Sequence, residues 1–214
     1  MSPPRKPKKP KEPEGITKIT VKGFKSLANE TSIDIRPLTI LAGANSSGKS
    51  SIMQPLLLLK QTLEVGYDPG ALLLDGPNVR FTSADQLLTR VAGGAQSSEL
   101  VVGIEVDGET AVTNVLSPAQ DQSLALRQTT YSGPGLRAAT FRSQPGVPQA
   151  ATDRAGVRHG PFLVPRPEEG QSGDRLLAWG FAMLDRERFE ERIRELIHLP
   201  GLRGNPERAY RTTA

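Results

Sequence analysis

The chain has 214 residues, with 27 Lys and Arg against 23 Asp and Glu, a formal charge of +4 at pH 7 and no cysteine. That length suffices for one domain, or one and a half, with a substantial core, while the absence of cysteine excludes disulfides and thiolate metal sites. His159 and His198 stand far apart and offer no ligand cluster, and no apolar run reaches the roughly 18 residues of a membrane span.

The charged N-terminus has no apolar segment of signal-peptide type behind it, so a cytoplasmic, soluble protein is expected. Residues 1–14 combine prolines with Arg5, Lys6, Lys8, Lys9 and Lys11 and lack apolar side chains, which predicts a disordered basic tail. Much of the positive excess sits there. The rest of the chain is nearly neutral, so overall charge is weak support for a DNA partner, which stays possible.

From Gly15 the pattern has period two, with Ile19 and Val21 on one face of a strand and Phe24 joining that side after a bulge at Gly23. Ile33 and Ile35 mark a second strand, residues 25–30 connect the two as an antiparallel hairpin, and Pro37 ends the second.

Leu38–Leu41 then reads as a short apolar strand running into Gly43-Ala44-Asn45-Ser46-Ser47-Gly48-Lys49-Ser50-Ser51, which fits the phosphate-binding pattern G-x-x-x-x-G-K-[ST] without a mismatch. Gly43 and Gly48 allow the backbone to turn tightly beside a polyphosphate, so that successive N–H groups and a helix N-terminus meet its oxygens. Lys49 supplies a mobile charge for the outer phosphates and the Ser50 hydroxyl a ligand for Mg²⁺, so ATP and Mg²⁺ are the expected cofactors.

Apolar residues at 52, 53, 56, 59 and 63, within a run of leucines, predict a buried helix after the loop. Pro55 is an anomaly in it, costing about 3 kcal/mol in a regular helix interior. Leu72-Leu73-Leu74 before Asp75-Gly76-Pro77 predicts a short element ending in a turn, and residues 83–88 a short capped helix. Gln86 in it reads as an exposed helix glutamine, with metal or water positioning as the second reading.

Residues 99–142 read as a β-meander: Leu100, Val102, Ile104 and Val106 alternate, Asp107-Gly108 signals a two-residue hairpin, and further strands follow over 110–116, 123–131 and 136–142. Arg127, Arg137 and Arg142 either form a solvated strand face or a basic one. Residues 143–173, rich in Pro, Gly and Gln, read as a flexible linker that carries His159 as an ordinary loop residue. A helix is expected over 174–198, with Leu177, Phe181 and Leu184 on one stripe and Phe189, Ile193, Leu196 and Ile197 on another; Arg186, Glu190 and Arg194 lie on other faces at i,i+4 spacing, and Pro200-Gly201 stops it.

Taken together, Ile19-x-Val21-x-Gly23-Phe24-Lys25-Ser26-Leu27, Ile33-x-Ile35-x-Pro37-Leu38-Thr39, the loop at 43–51 with Leu56–Leu63 behind it, and His198–Arg208 resemble the bacterial ABC-type AAA family ATPases. These are relatives of the overcoming-lysogenization-defect proteins and of SMC and RecF-like DNA-repair ATPases. The resemblance implies a mixed α/β fold: the P-loop NTPase, ABC-type N-terminal lobe over residues 15–142, with the antiparallel meander, a long C-terminal helix, and residues 199–214 beginning a return toward the ATPase core. It also implies that residues 43–51 hold ATP and Mg²⁺ and that two subunits dimerise around two nucleotides, in DNA repair or anti-phage defence.

Family members complete the site with a signature helix, an apolar strand ending in Asp-Glu and a switch histidine, none of which this sequence contains; Leu72-Leu73-Leu74-Asp75 is followed by Gly76. The expectation is therefore a truncated or split ATPase, its fold incomplete at the C-terminus, whose hydrolysis needs a separate C-terminal half. The alternatives are a nucleotide-dependent interaction module without turnover and a small-molecule P-loop kinase.

Overall fold

The computed structural model describes residues 14–44, 47–90, 96–134, 136–143, 157–164 and 174–199. The basic tail, Asn45 and Ser46 of the loop, most of the stretch 143–173 and the return segment beyond Leu199 lie outside them.

The organising element is a six-stranded antiparallel sheet in the order β2-β1-β3-β4-β5-β6. Strands β1 (Ile16–Lys22) and β2 (Thr31–Asp34) form the expected hairpin, with Ile19 opposite Ile33. β1 also pairs with β3 (Leu100–Val106), Val21 facing Val102, so the N-terminal hairpin joins the meander as one sheet. β4 (Thr110–Pro118), β5 (Leu124–Gly133) and β6 (Leu136–Arg142) complete it by successive hairpins.

At the β3–β4 turn Asp107 and Gly108 have φ of 55° and 71°, both left-handed, and Glu109 N–H closes on the Val106 carbonyl at 3.2 Å; Val106 faces Thr110, so three residues connect the strands where the Asp-Gly pair alone suggests two. At the end of β1, Gly23 has φ 76°, and a Cβ there would stand 2.1 Å from the Glu99 carbonyl oxygen. This kink turns Phe24 into the core, where it is fully buried and meets Phe81 edge-on at 6.3 Å.

Helix α1 (Lys49–Glu64) and helix α2 (Asp174–Arg194) contribute to a single core with the sheet. Ile52, Leu56, Leu58 and Leu59 of α1 and Phe189 and Ile193 of α2 meet Ile19, Val21, Val102, Ile104 and Tyr131. Alternation along β3 and β4 supplies one apolar face, and the leucine run of α1 covers part of it. α1 runs through Pro55, which is buried.

The polar residues at the end of α1 are buried as well, each for a visible reason. Gln61 donates to the carbonyls of Leu73 (2.6 Å) and Val79 (3.2 Å), and its Oε1 accepts from the backbone N–H of Val79 (3.1 Å). The Thr62 hydroxyl donates to the Leu58 carbonyl at 2.6 Å and accepts from Leu73 N–H at 2.8 Å. Lys60 donates to the Arg194 carbonyl at 2.6 Å, tying α1 to the end of α2. The 71–81 segment is thus stapled to α1 by side chains, as buried backbone groups outside a ladder require.

Four expectations change. Leu38–Leu41 forms no strand: Leu38 and Ile40 are each 78% exposed, and no ladder among the described residues pairs with them, so their backbone lacks the partner a strand needs. Within the stretch read as linker stands a separate hairpin, β7 (Val157–His159) and β8 (Phe162–Val164), turning at Gly160 with φ 55°. It is fastened beneath the sheet: Asn114 donates to the Pro161 carbonyl at 2.9 Å, and Thr129 donates to Asn114 Oδ1 at 2.7 Å while accepting from Leu163 N–H at 3.0 Å.

The capped helix near 83–88 is a 3-10 turn, Ala84–Gln86, whose Ser83 side chain makes no cap. The C-terminal helix ends at Arg194 instead of 198; Leu196 N–H closes the last turn onto the Ile193 carbonyl, and residues 196–199 continue as irregular chain ahead of Pro200. Of its two expected stripes, Phe189 and Ile193 are buried, whereas Leu184 and Ile197 face outward. The side chains of Leu177 and Phe181 lie outside the description.

Candidate functional site

The phosphate-binding sequence lies where Leu38–Ala44 runs into the N-terminus of α1. Gly48 caps that helix in the left-handed region, φ 90°, without a side-chain hydrogen bond. A Cβ there would approach Ser26 Oγ to 3.0 Å and Leu27 Cδ2 to 3.1 Å, so the β1–β2 connection packs directly against the loop. Glycine is required on two counts, backbone conformation and space. The uncapped helix start leaves its first N–H groups available to an anion, and the helix dipole favours negative charge there.

Lys49 curls back over the loop. Its ammonium donates to the carbonyls of Gly43 (2.7 Å) and Ala44 (2.5 Å) and lies 3.5 Å from Ser47 Oγ. The Ser47 N–H donates to the Ala44 carbonyl at 3.3 Å, and Ile52 N–H begins the helical ladder on Gly48 at 3.1 Å. The charge that the motif assigns to the outer phosphates therefore stands within the loop, and Ser50 is exposed on the first turn, free to enter a Mg²⁺ shell. Ser51 follows it in the same turn.

Beside this loop opens a groove of about 620 Å³. Lys49, Ser50, Gln54, Asn78 and His198 give it polar atoms, and Leu57 is part of its apolar wall. An apolar cleft with a few convergent polar groups is the usual form of a small-molecule site. His198, a residue without any sequence neighbour of chemical interest, is brought beside the phosphate-binding loop by the irregular tail after α2. Only the three-dimensional path of that tail reveals it.

Lys25 is the other residue whose place the sequence did not disclose. It has φ 49°, donates to Gln54 Oε1 at 2.7 Å and lies 4.6 Å from the centre of the Phe81 ring. The turn carrying it is the one that abuts Gly48. The signal was the Gly-Phe-Lys-Ser sequence itself, whose tight backbone reversal (Gly23 N–H to the Leu27 carbonyl, 2.7 Å) presents the lysine next to α1.

Gln86 lines a different cleft, of about 410 Å³, together with Lys25, Asp85 and Arg90. Its amide donates to Thr82 Oγ1 at 2.7 Å and its Oε1 accepts from Thr82 N–H at 3.1 Å, which ties it locally. Among the described residues no group of His, Asp and Glu has the arrangement of a protein-only metal site.

His159 borders a third cleft, of about 460 Å³, at the far end of α1. There Arg158 pairs with Asp68, Arg186 with Glu190 at 3.0 Å, and Arg194 with Glu190 at 3.3 Å. The Arg158 hydrogen bond holds the Asp68 carboxyl below its ordinary range. Arg158 ties the hairpin to the segment after α1 by donating to the Gly70 carbonyl at 2.6 Å, Arg194 ties α2 to α1 through the Leu63 carbonyl, and Arg186 pairs within α2. On the meander, Arg127 donates to Ser117 Oγ at 2.6 Å and Arg142 to Gln128 Oε1 at 3.0 Å, so both guanidiniums are tethered along the strands. The Arg137 side chain lies outside the description.

The residues of a phosphate-binding motif thus stand at an uncapped helix start on a mixed α/β scaffold. Residues 15–108 match the family model of the AAA ATPase domain, a span that takes in β1, β2, the loop, α1 and β3. The match supports an AAA-type ATPase that binds nucleotide. No curated protein matches the chain. No helix among the described residues is long and apolar enough to cross a membrane.

Proposed function

We propose that the chain is the ATP-binding lobe of an ABC-type, SMC-like ATPase related to the overcoming-lysogenization-defect and RecF-like proteins. In this reading it holds Mg·ATP at residues 43–51 and acts in the cytoplasm in DNA repair or anti-phage defence. The observation that carries the nucleotide reading is the helix start at Gly48, uncapped and left-handed, with Lys49 and Ser50 directly behind it.

Turnover depends on a separate sheet-bearing half, or on a dimer closed around the nucleotides. Leu38 and Ile40 support this, because an apolar segment leading into the loop stands in water with its backbone unpaired by the described strands. Such a segment is suited to receive strands. Hydrolysis needs a positioned water and a base that accepts its proton, which the completing half would provide. A nucleotide-dependent interaction module without turnover is the second reading, favoured by the same exposed segment.

The test is Mg·ATP binding and phosphate release measured side by side, with Lys49→Ala as control. The expected result is weak binding, lost in the variant, with negligible turnover. Robust hydrolysis by this polypeptide alone would overturn the dependence on a second half, and binding unaffected by Lys49→Ala would overturn the site.

A further inference from the structure

The cleft at the far end of α1 from the phosphate-binding loop gathers charge that the nucleotide site does not use. Arg158 enters from β7, Arg186 and Arg194 from α2, and Asp68 and Glu190 join them in the wall of a space of about 460 Å³. Three guanidiniums thus share two carboxylates in the lining. Glu190 alone serves two of them, Arg186 at 3.0 Å and Arg194 at 3.3 Å.

Two of the three arginines are explained by what they hold. Arg158 donates to the Gly70 carbonyl at 2.6 Å and Arg194 to the Leu63 carbonyl at 3.3 Å, each contact joining separate parts of the chain. Arg186 has no such role. Its side chain is 14% exposed, yet its polar partners among the described residues, Glu190 and, at 3.5 Å, Glu187, both belong to its own helix. Desolvating a guanidinium is costly, and a partner one turn away on the same helix offsets little of it. The pairing is also incomplete, because Arg186 Nε is buried without an acceptor, as is Arg158 Nε on a side chain only 10% exposed. Unused donors on two buried guanidiniums, with positive charge in excess, are what an anion recognises.

Tyr67 also lines this cleft and is 64% exposed, so its ring offers a face to a flat group beside the arginines. The volume is that of a small-molecule pocket.

We propose that the cleft binds a small phosphate monoester with a flat body, the phosphate on Arg186 and the body against Tyr67. Charge favours a phosphate over a carboxylate: near pH 7 a monoester carries about −1.5 to −2 and three acceptor oxygens, whereas a carboxylate only duplicates Asp68 and Glu190. The site is separate from residues 43–51. The 16 residues of α1, about 24 Å, stand between them, so the two readings fail separately.

Phenyl phosphate, inorganic phosphate and benzoate are titrated into the full chain while ¹H–¹³C spectra follow its two histidine rings, assigned with His198→Ala. His159 lines this cleft and His198 the groove beside the loop, so the spectra report where each probe binds. Phenyl phosphate should move the His159 signal saturably with a Kd below about 1 mM, and benzoate should bind at least about tenfold more weakly. Lys49→Ala should leave that response unchanged, while Arg186→Gln should weaken it at least about tenfold. Tyr67→Ala, at an exposed position outside the ion pairs, should weaken phenyl phosphate about threefold and leave inorganic phosphate as it was.

Movement of the His198 signal alone would assign the anion to the phosphate-binding loop and overturn the second site. Equal affinity for phenyl phosphate and benzoate, an undiminished response in Arg186→Gln, or unchanged phenyl phosphate affinity in Tyr67→Ala would overturn it as well.

Discussion

The two ends of α1 are built on opposite plans. From Leu56 to Thr62 the helix is enclosed: its leucines meet the sheet, and Lys60, Gln61 and Thr62 are buried with their polar atoms engaged. At its start, Lys49 and Ser50 face a loop, a groove and the exposed segment Leu38–Leu41. In the reading proposed above, one helix divides its labour along its length, the enclosed end fixing position and the open end offering a ligand N–H groups, a hydroxyl and, once it leaves the Gly43 and Ala44 carbonyls, an ammonium. A phosphate site needs donors that are held in place yet left unsatisfied, and only a helix anchored elsewhere can hold them so.

That contrast is open to direct attack. The largest effect is expected at the enclosed end: Gln61→Leu leaves the Leu73 and Val79 carbonyls and the Val79 N–H without their partner and should cost about 3 kcal/mol or more in denaturant unfolding. Leu58→Ala, at a fully buried position, should cost about 2–5 kcal/mol in the same measurement. At the open end, Lys49→Ala should leave the unfolding midpoint nearly unchanged and weaken Mg·ATP by at least about tenfold in calorimetry, because it removes charge-assisted contacts to phosphate.

Smaller effects sharpen the boundary. Asp185 on α2 is buried with Oδ2 unpartnered, and burial raises its carboxyl above the ordinary range. A raised value in the folded state means that the protein is most favoured below the unfolded-state value and loses stability as pH rises through the folded one. Asp185→Asn should therefore gain about 1 kcal/mol at pH 7 and little in acid, read from unfolding curves at the two pH values. Smallest of all, Ile40→Ser should change stability by less than about 0.5 kcal/mol, since its side chain is already in water.

Sequence pattern reached the enclosed framework well. Alternation placed β1 and β3, Asp107-Gly108 placed a turn with β4 behind it, and the leucine run placed α1, because each of these rests on a periodicity or a backbone requirement written in consecutive residues. The motif at 43–51 is legible for the same reason, being written in consecutive residues. What escaped depends on distant partners. Strands β7 and β8 have three residues each, too short for a period, and are held by Asn114 and Thr129 from the meander. Leu38–Leu41 is apolar enough for a strand, but a strand is a pairing and no described neighbour supplies it. His198 joins the groove only because the chain leaves the helix at Arg194, and Lys25 because a glycine kink lays its turn beside Gly48.

The division of α1 is tested most directly by amide hydrogen exchange in the presence and absence of Mg·ATP. Protection should rise across Gly43–Ser51, where nucleotide phosphates engage the loop and the first helical N–H groups, and stay unchanged across Leu56–Thr62, whose bonds are already closed. Protection that rose equally along the whole helix, or not at all at Gly43–Ser51 while nucleotide was bound, would contradict the account.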